Sequence, residues 1–104
     1  MLDCVRGLVL VQAPSANGHA SAFALAKVAS VMAMRGSAHG VSLLSEETYK
    51  RATGNVTEKK DMTLSATTKF NRGGWSIFDT KFGYFRHGSI GWFGIGGSAL
   101  QWHG

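Results

Sequence analysis

At 104 residues the chain is the size of one small domain with a single core. Hydrophobic residues at 44% and charged residues at only 16% exclude a disordered composition, and leave a surface that expects cover from a partner or from further chain. Eleven Lys and Arg against six Asp and Glu give a net charge of +5. These cations are spread from Arg6 to Arg86 and the usual RNA and DNA motifs are absent, so no nucleic-acid partner is expected.

Taken in chain order, the start is "MLDCVRGLVLVQAPSA". Its apolar run Gly7 to Val11 is too short for a signal peptide and carries Asp3 upstream, so it reads as a buried strand or a frayed end. Pro14, Asn17 and Gly18 form a turn cluster. Ser21 is then the expected N-cap of a helix over Ala22 to Arg35, rich in Ala, Leu and Met. Leu25, Val28, Ala29 and Met32 recur at helical spacing, and Phe23 and Ala26 widen that apolar face. Arg35 suits the helix C-terminus, and Gly36 the residue just past it. Ser45 caps a second, short helix with Glu46 and Glu47 in its first turn.

The Thr-rich "GNVTEKKDMTLSATTK" reads as a surface connection anchored by Leu64. Beyond it, aromatic and β-branched residues between glycine turns predict strands at about Trp75 to Phe78 and Phe82 to Arg86, paired as a hairpin. A third strand runs through "GSALQW". The expected class is therefore α+β, with an Ala-rich helix and a short second helix packed on an antiparallel sheet of about three strands.

Few patterns carry chemistry. There is no Gly-x-Ser-x-Gly elbow, Walker loop or dinucleotide fingerprint. "GIGGS" superficially resembles a nucleotide loop, but no helix-forming run follows to supply the amides that hold a phosphate. No Ser is followed three residues later by Lys; Ser65 to Lys69 is one residue too long. Ser15-Ala16-Asn17 matches a Ser-x-Asn pattern but sits where a turn is needed. Asp79 and the isolated Glu residues form no evident carboxylate pair, and His87 has no acid or nucleophile placed beside it. Trp75, Trp92 and Trp102 read first as core or edge-packing residues. The lone Cys4 excludes an internal disulfide and a Cys-x-x-Cys site, and His19, His39, His87 and His103 lack zinc-ligand spacing, so no metal or cofactor is expected. No run approaches the length of a membrane span.

Three segments nevertheless form a pattern in order. "PSANGHASAFALAKVASVMAMRG" is similar to a Pro-Ser-x-x-Gly turn followed by an Ala-rich helix and a glycine. "GVSLLSEETYKRAT" is similar to a Gly-x-x-Leu-Leu-Ser-x-Glu-Thr segment. "WFGIGGSALQWHG" resembles an active-site box and the strand after it. Together, over about residues 13 to 103, they resemble the C-terminal part of the serine β-lactamase-like hydrolases: class C β-lactamases, penicillin-binding D-Ala-D-Ala peptidases and related esterases. The third box of that family is Lys-Thr-Gly, His-x-Gly or Trp-x-Gly. Spacing to Gly96-Gly97-Ser98 makes Trp92-Phe93-Gly94 its counterpart, with His87-Gly88-Ser89 as the second register.

The resemblance implies a fragment of a three-layer sandwich, a single partial domain over residues 1–104 in which residues 1–12 are a non-family segment. It implies attack by a Lys-activated Ser on an amide or ester and an acyl-enzyme that water releases. Trp92, Phe93 and Gly94 would line the cleft, and the backbone N–H of Ile95 would contribute to the oxyanion hole. Gly94 would let substrate approach the strand. The Ser-x-x-Lys and Tyr-x-Asn or Ser-x-Asn boxes are missing, so the chain alone is expected to be inactive. The substrate of the complete protein would be a small-molecule or peptide-like amide or ester. The alternative is a non-catalytic binding or scaffolding module. In either case an exposed sheet edge invites self-association.

Overall fold

The computed structural model describes residues 18–79, 85–94 and 97–104. The apolar run Gly7 to Val11, Cys4, the Ser15-Ala16-Asn17 pattern and Ile95 lie outside the described residues, as do residues 82–84 of the predicted second strand.

Helix α1 spans Ala22–Ala33, and Ser21 caps it as expected: its Oγ accepts the Ala24 N–H at 3.1 Å. The other end differs from expectation. The helix stops at Ala33, and Arg35 takes the left-handed position at φ 62°, ahead of Gly36 at φ 96°. The Arg35 N–H bonds to Met32 O at 3.0 Å and the Gly36 N–H to Val31 O at 2.9 Å. This pair of bonds is a Schellman motif, which satisfies two carbonyls the helix leaves open. Gly36 is needed for a packing reason. A Cβ there would lie 2.7 Å from the carbonyl oxygen of Leu44, and Gly36 O itself accepts from Leu43 and Leu44 N–H.

A two-residue hairpin follows, β1 (Ser37–Ala38) with β2 (Val41–Ser42), turning through His39 and Gly40 at φ 53° and 77°. These are the paired positive angles of a twist-compatible tight turn. Helix α2 spans Glu46–Thr53, with Ser45 Oγ accepting the Thr48 N–H at 3.2 Å. Glu46 sits in its first turn, 3.0 Å from Lys50 and 3.5 Å from Arg35, and so ties the end of α1 to the start of α2. The hydrogen bond and charge of Lys50, then the charge of Arg35, hold the Glu46 carboxyl below its ordinary value.

The main sheet has five antiparallel strands in sequence order: β3 (Thr57–Lys60), β4 (Thr67–Phe70), β5 (Ser76–Ile77), β6 (Ile90–Phe93) and β7 (Ala99–Trp102). The α+β class is as expected, but the strands are more numerous. The Thr-rich segment is the β3–β4 hairpin and not a plain connection. Asp61 Oδ1 accepts the N–H groups of Thr63 and Leu64 at 2.8 Å each, and Asp61 N–H reaches Ala66 O at 2.8 Å. That side chain builds the turn. Leu64 is not buried as the expected anchor; it is 60% exposed. The predicted pairing of residues 75–78 with 82–86 also gives way. β5 pairs with β4 and β6, while Phe85 and Arg86 lie in no strand.

One face of the sheet carries the core. Cross-strand partners share a face, so Ile90 and Trp102, and Trp92 and Leu100, point the same way. Trp102 is buried with Ala29 and Met32 of α1 and Tyr49 of α2, with Ala33, Leu44, Trp75, Ile90 and Leu100 packed around them. The expected apolar stripe of α1 is only half used. Ala29, Val31 and Met32 are buried, but Phe23, Leu25 and Val28 are exposed.

The Gly36 geometry is testable. Gly36→Ala adds left-handed strain and a backbone collision, and is expected to cost more than about 2 kcal/mol in urea unfolding. Gly40→Ala, with φ 77° but open space around it, should cost about 1 kcal/mol. Equal losses would contradict the packing against Leu44.

Candidate functional site

The hairpin of β6 and β7 holds the residues that the sequence singled out. Its turn closes through Gly94, whose N–H bonds to Ser98 O at 2.8 Å and whose carbonyl accepts the Gly97 N–H at 3.0 Å. Trp92 and Phe93 stand immediately before it, 55% and 45% exposed on β6. Strand alternation sends their side chains to opposite faces. Trp92 shares the helix-bearing face with Leu100, and Phe93 shares the other face with Ala99.

On that second face Phe93 belongs to an aromatic cluster. Phe78 is 2% exposed and stacks on Phe85 with centroids 4.1 Å apart. Phe93 lies 6.1 Å from Phe78 and 6.4 Å from Phe85, at tilted angles. Beside it is a cavity of about 130 Å³ whose wall includes Glu58, Lys69, Ser76, Asp79 and Phe93. Lys69 Nζ sits 3.3 Å from Glu58 and 3.9 Å from Asp79, with two-thirds of its side chain covered. Sequence reasoning missed this triad. Glu58 and Lys69 are directly paired across β3 and β4, and Asp79 follows β5, so only sheet register brings them together. The cavity places one cation bracketed by two carboxylates next to an aromatic wall.

The second register lands differently. His87 is exposed in a turn and Gly88 has φ 76°. Ser89 is 1% exposed and so turned away from any cleft. Its hydroxyl donates to Arg86 O at 2.7 Å and lies 3.1 Å from the side-chain amide of Gln101. One hydroxyl proton cannot serve both oxygens, so the second contact is satisfied when the Gln101 amide presents its NH₂ to Ser89.

Gly94 and Gly91 have separate reasons to be glycine. A Cβ at Gly94 would meet Ser98 Oγ at 2.8 Å, the tip of an exposed and rotatable side chain. A Cβ at Gly91 would collide with the backbone of β7, within the shell of Leu100 O and 2.8 Å from Gln101 Cα. Close approach of backbone to backbone at Gly91 fixes the register of the hairpin; this requirement is invisible without the partner strand. Among the described residues no group of three or more His, Cys, Asp or Glu could hold a metal ion, and no helix is long and apolar enough to cross a membrane.

Gly91→Ala is expected to destabilise the chain by about 1–3 kcal/mol, because the strands must separate. Gly94→Ala should cost less than about 1 kcal/mol, because Ser98 can rotate away. Chemical denaturation of the two variants side by side checks this order, and a reversal would place the close approach elsewhere. Comparison with family models, with curated proteins and with solved structures gives no match for the chain.

Proposed function

We propose that this chain carries one wall of a serine hydrolase cleft of the β-lactamase-like type, acting in the complete protein on an amide or ester through an acyl-enzyme. The observation that carries the reading is the β6–β7 hairpin. It presents Trp92 on one face and Phe93 on the other, both partly exposed at the end of β6 just before Gly94, the place the third box occupies in the resemblance. The order of the remaining elements supports it. The Ser-capped Ala-rich helix, the Ser45-capped short helix and the antiparallel strands follow one another as the three resembling segments require.

Of the two registers, Trp92-Phe93-Gly94 is the better supported, because a box lining a cleft must be reachable and Ser89 is buried. The role of Ile95 as an oxyanion donor rests on the resemblance alone. No Ser-x-x-Lys occurs in these residues, so the proposed chain has a cleft wall without its own activated nucleophile. A second reading, a binding or scaffolding module, draws support from apolar side chains left in solvent, among them Phe23 at 72% and Met62 at 87% exposure.

The two readings separate in a graft. Residues 13–103 replace the matching segment of a serine β-lactamase-like esterase. The folded chimera is expected to hydrolyse an activated ester well above the same chimera lacking its nucleophilic serine. The isolated chain should not be labelled by a fluorophosphonate or a penicillin probe. A folded but inactive chimera would favour the binding module, and a labelled serine in the isolated chain would overturn the missing-nucleophile part of the proposal.

A further inference from the structure

Strand β7 is a sheet edge without charge, Ala99-Leu100-Gln101-Trp102, whereas the opposite edge, β3, carries Glu58, Lys59 and Lys60. Charges on an edge discourage strand addition, and β7 lacks them. The Gly94 N–H bonds to Ser98 O, and the pairing of β6 with β7 runs on from there in unbroken register. Alternation along an antiparallel ladder then turns Leu100 and Trp102 toward β6 and points the N–H and C=O of Ala99 and Gln101 outward. No described residue hydrogen-bonds those outward groups.

Beside this edge runs a groove of about 720 Å³, between β7 and helix α1, and none of its lining residues is charged. Helix and strand run in the same direction along it. Trp102 packs with Ala29 and Met32 in the second half of α1, and a Cβ on Gly104 would lie 3.5 Å from the carbonyl oxygen of Ala33. The opposite end of the groove therefore belongs to Ser98 and to Ala20 and Ala22, where the chain enters α1.

We infer that the chain's own residues 7–11 occupy this groove as an antiparallel partner of β7. Gly7-Leu8-Val9-Leu10-Val11 lies just upstream of the described residues, and an uninterrupted apolar run suits a strand covered on both faces. No residue from Gly7 to Asn17 is charged, which matches the uncharged lining. The direction follows from where the described chain begins. A run that lies along β7 and leads into α1 at the Ser98 end must travel from Trp102 toward Ala99. Residues 12–21 join the run to the helix, and ten residues reach at most about 35 Å, ample to pass the roughly 10 Å width of a helix. Pro14, Asn17 and Gly18 supply turn formers in that connection. A partner within the same chain also escapes the repulsion between two molecules that each carry +5. The inference does not depend on the hydrolase reading.

Hydrogen exchange followed by NMR on the full chain tests the docking. The amides of Ala99 and Gln101 are expected to exchange about tenfold or more slowly than in Val9→Asp, while Leu100 and Trp102, held by β6, keep their protection in both. A nitroxide on Cys4, the single cysteine, tests the direction in the wild-type sequence. It should broaden the amides of Trp102 and His103 more than those of Ser98 and Ala99, because the antiparallel path puts Cys4 beyond the Trp102 end. Ala99 and Gln101 amides that exchange as fast in the wild type as in Val9→Asp would overturn the docking. Broadening that is absent, even along β7 or stronger at Ser98 would also overturn it. So would broadening that persists when label and isotope sit on different molecules, since the occupant would then be a second copy. Should Val9→Asp unfold the chain, the labelled wild type decides alone.

Discussion

The burial of Trp102 is the contact on which the rest of the arrangement depends. Its indole is 6% exposed in one cluster with Ala29 and Met32 from α1 and Tyr49 from α2, against which Ile90 from β6 and Trp75 from the β4–β5 turn pack. Trp75 stands edge-on to it at 5.4 Å. Loss of a buried aromatic of this size costs about 3–5 kcal/mol, against a total stability of about 5–15 kcal/mol for a whole domain. The contact is also imperfect. The Trp102 Nε1 is buried with no hydrogen-bond partner among the described residues, which costs about 1–3 kcal/mol. Net stabilisation therefore comes from apolar contact alone.

Around that contact the backbone does the positioning. The turn from Asn71 to Trp75 is closed by Asn71 Oδ1 accepting the Trp75 N–H at 3.0 Å, and it docks on the end of α2. There Arg72 and Gly73 N–H bond to the carbonyls of Gly54 and Ala52 at 3.1 and 2.7 Å. Carbonyls at a helix end need such partners, and here they come from the sheet. The second helix is therefore tied to β4 and β5 through main chain as well as through Tyr49. The β6–β7 hairpin, with Trp92, Phe93 and Gly94 at its tip, then hangs from the same anchor through Ile90 and Trp102.

Local chemistry was legible in the sequence, and pairing was not. Ser21 and Ser45 each precede a run whose caps form within three residues, so both helices could be read from short stretches. The strand near Trp75 was readable from its aromatic and β-branched content, and a third strand through "GSALQW" was placed after it. The β3–β4 hairpin escaped because its turn uses the Asp61 carboxylate and a left-handed Ser65, at φ 54°, in place of an Asn-Gly or Asp-Gly pair. Arg35 in a left-handed position defies the preference for glycine there, because Gly36 was already committed to packing against Leu44. At the site, Trp92 and Phe93 were named from the sequence, but their division between two faces depends on β7. The requirement for Gly91 and the bracketing of Lys69 by Glu58 and Asp79 are cross-strand facts and leave no mark in any single segment.

If Trp102 is the common anchor, α1, α2 and the β6–β7 hairpin form one cooperative unit. Native-state hydrogen exchange at increasing urea tests this most directly. The slowest amides of α1, α2, β6 and β7 are expected to merge into a single opening with the same free energy and the same denaturant dependence. An opening that releases the β6–β7 hairpin at lower free energy, while α1 and α2 stay protected, would contradict it.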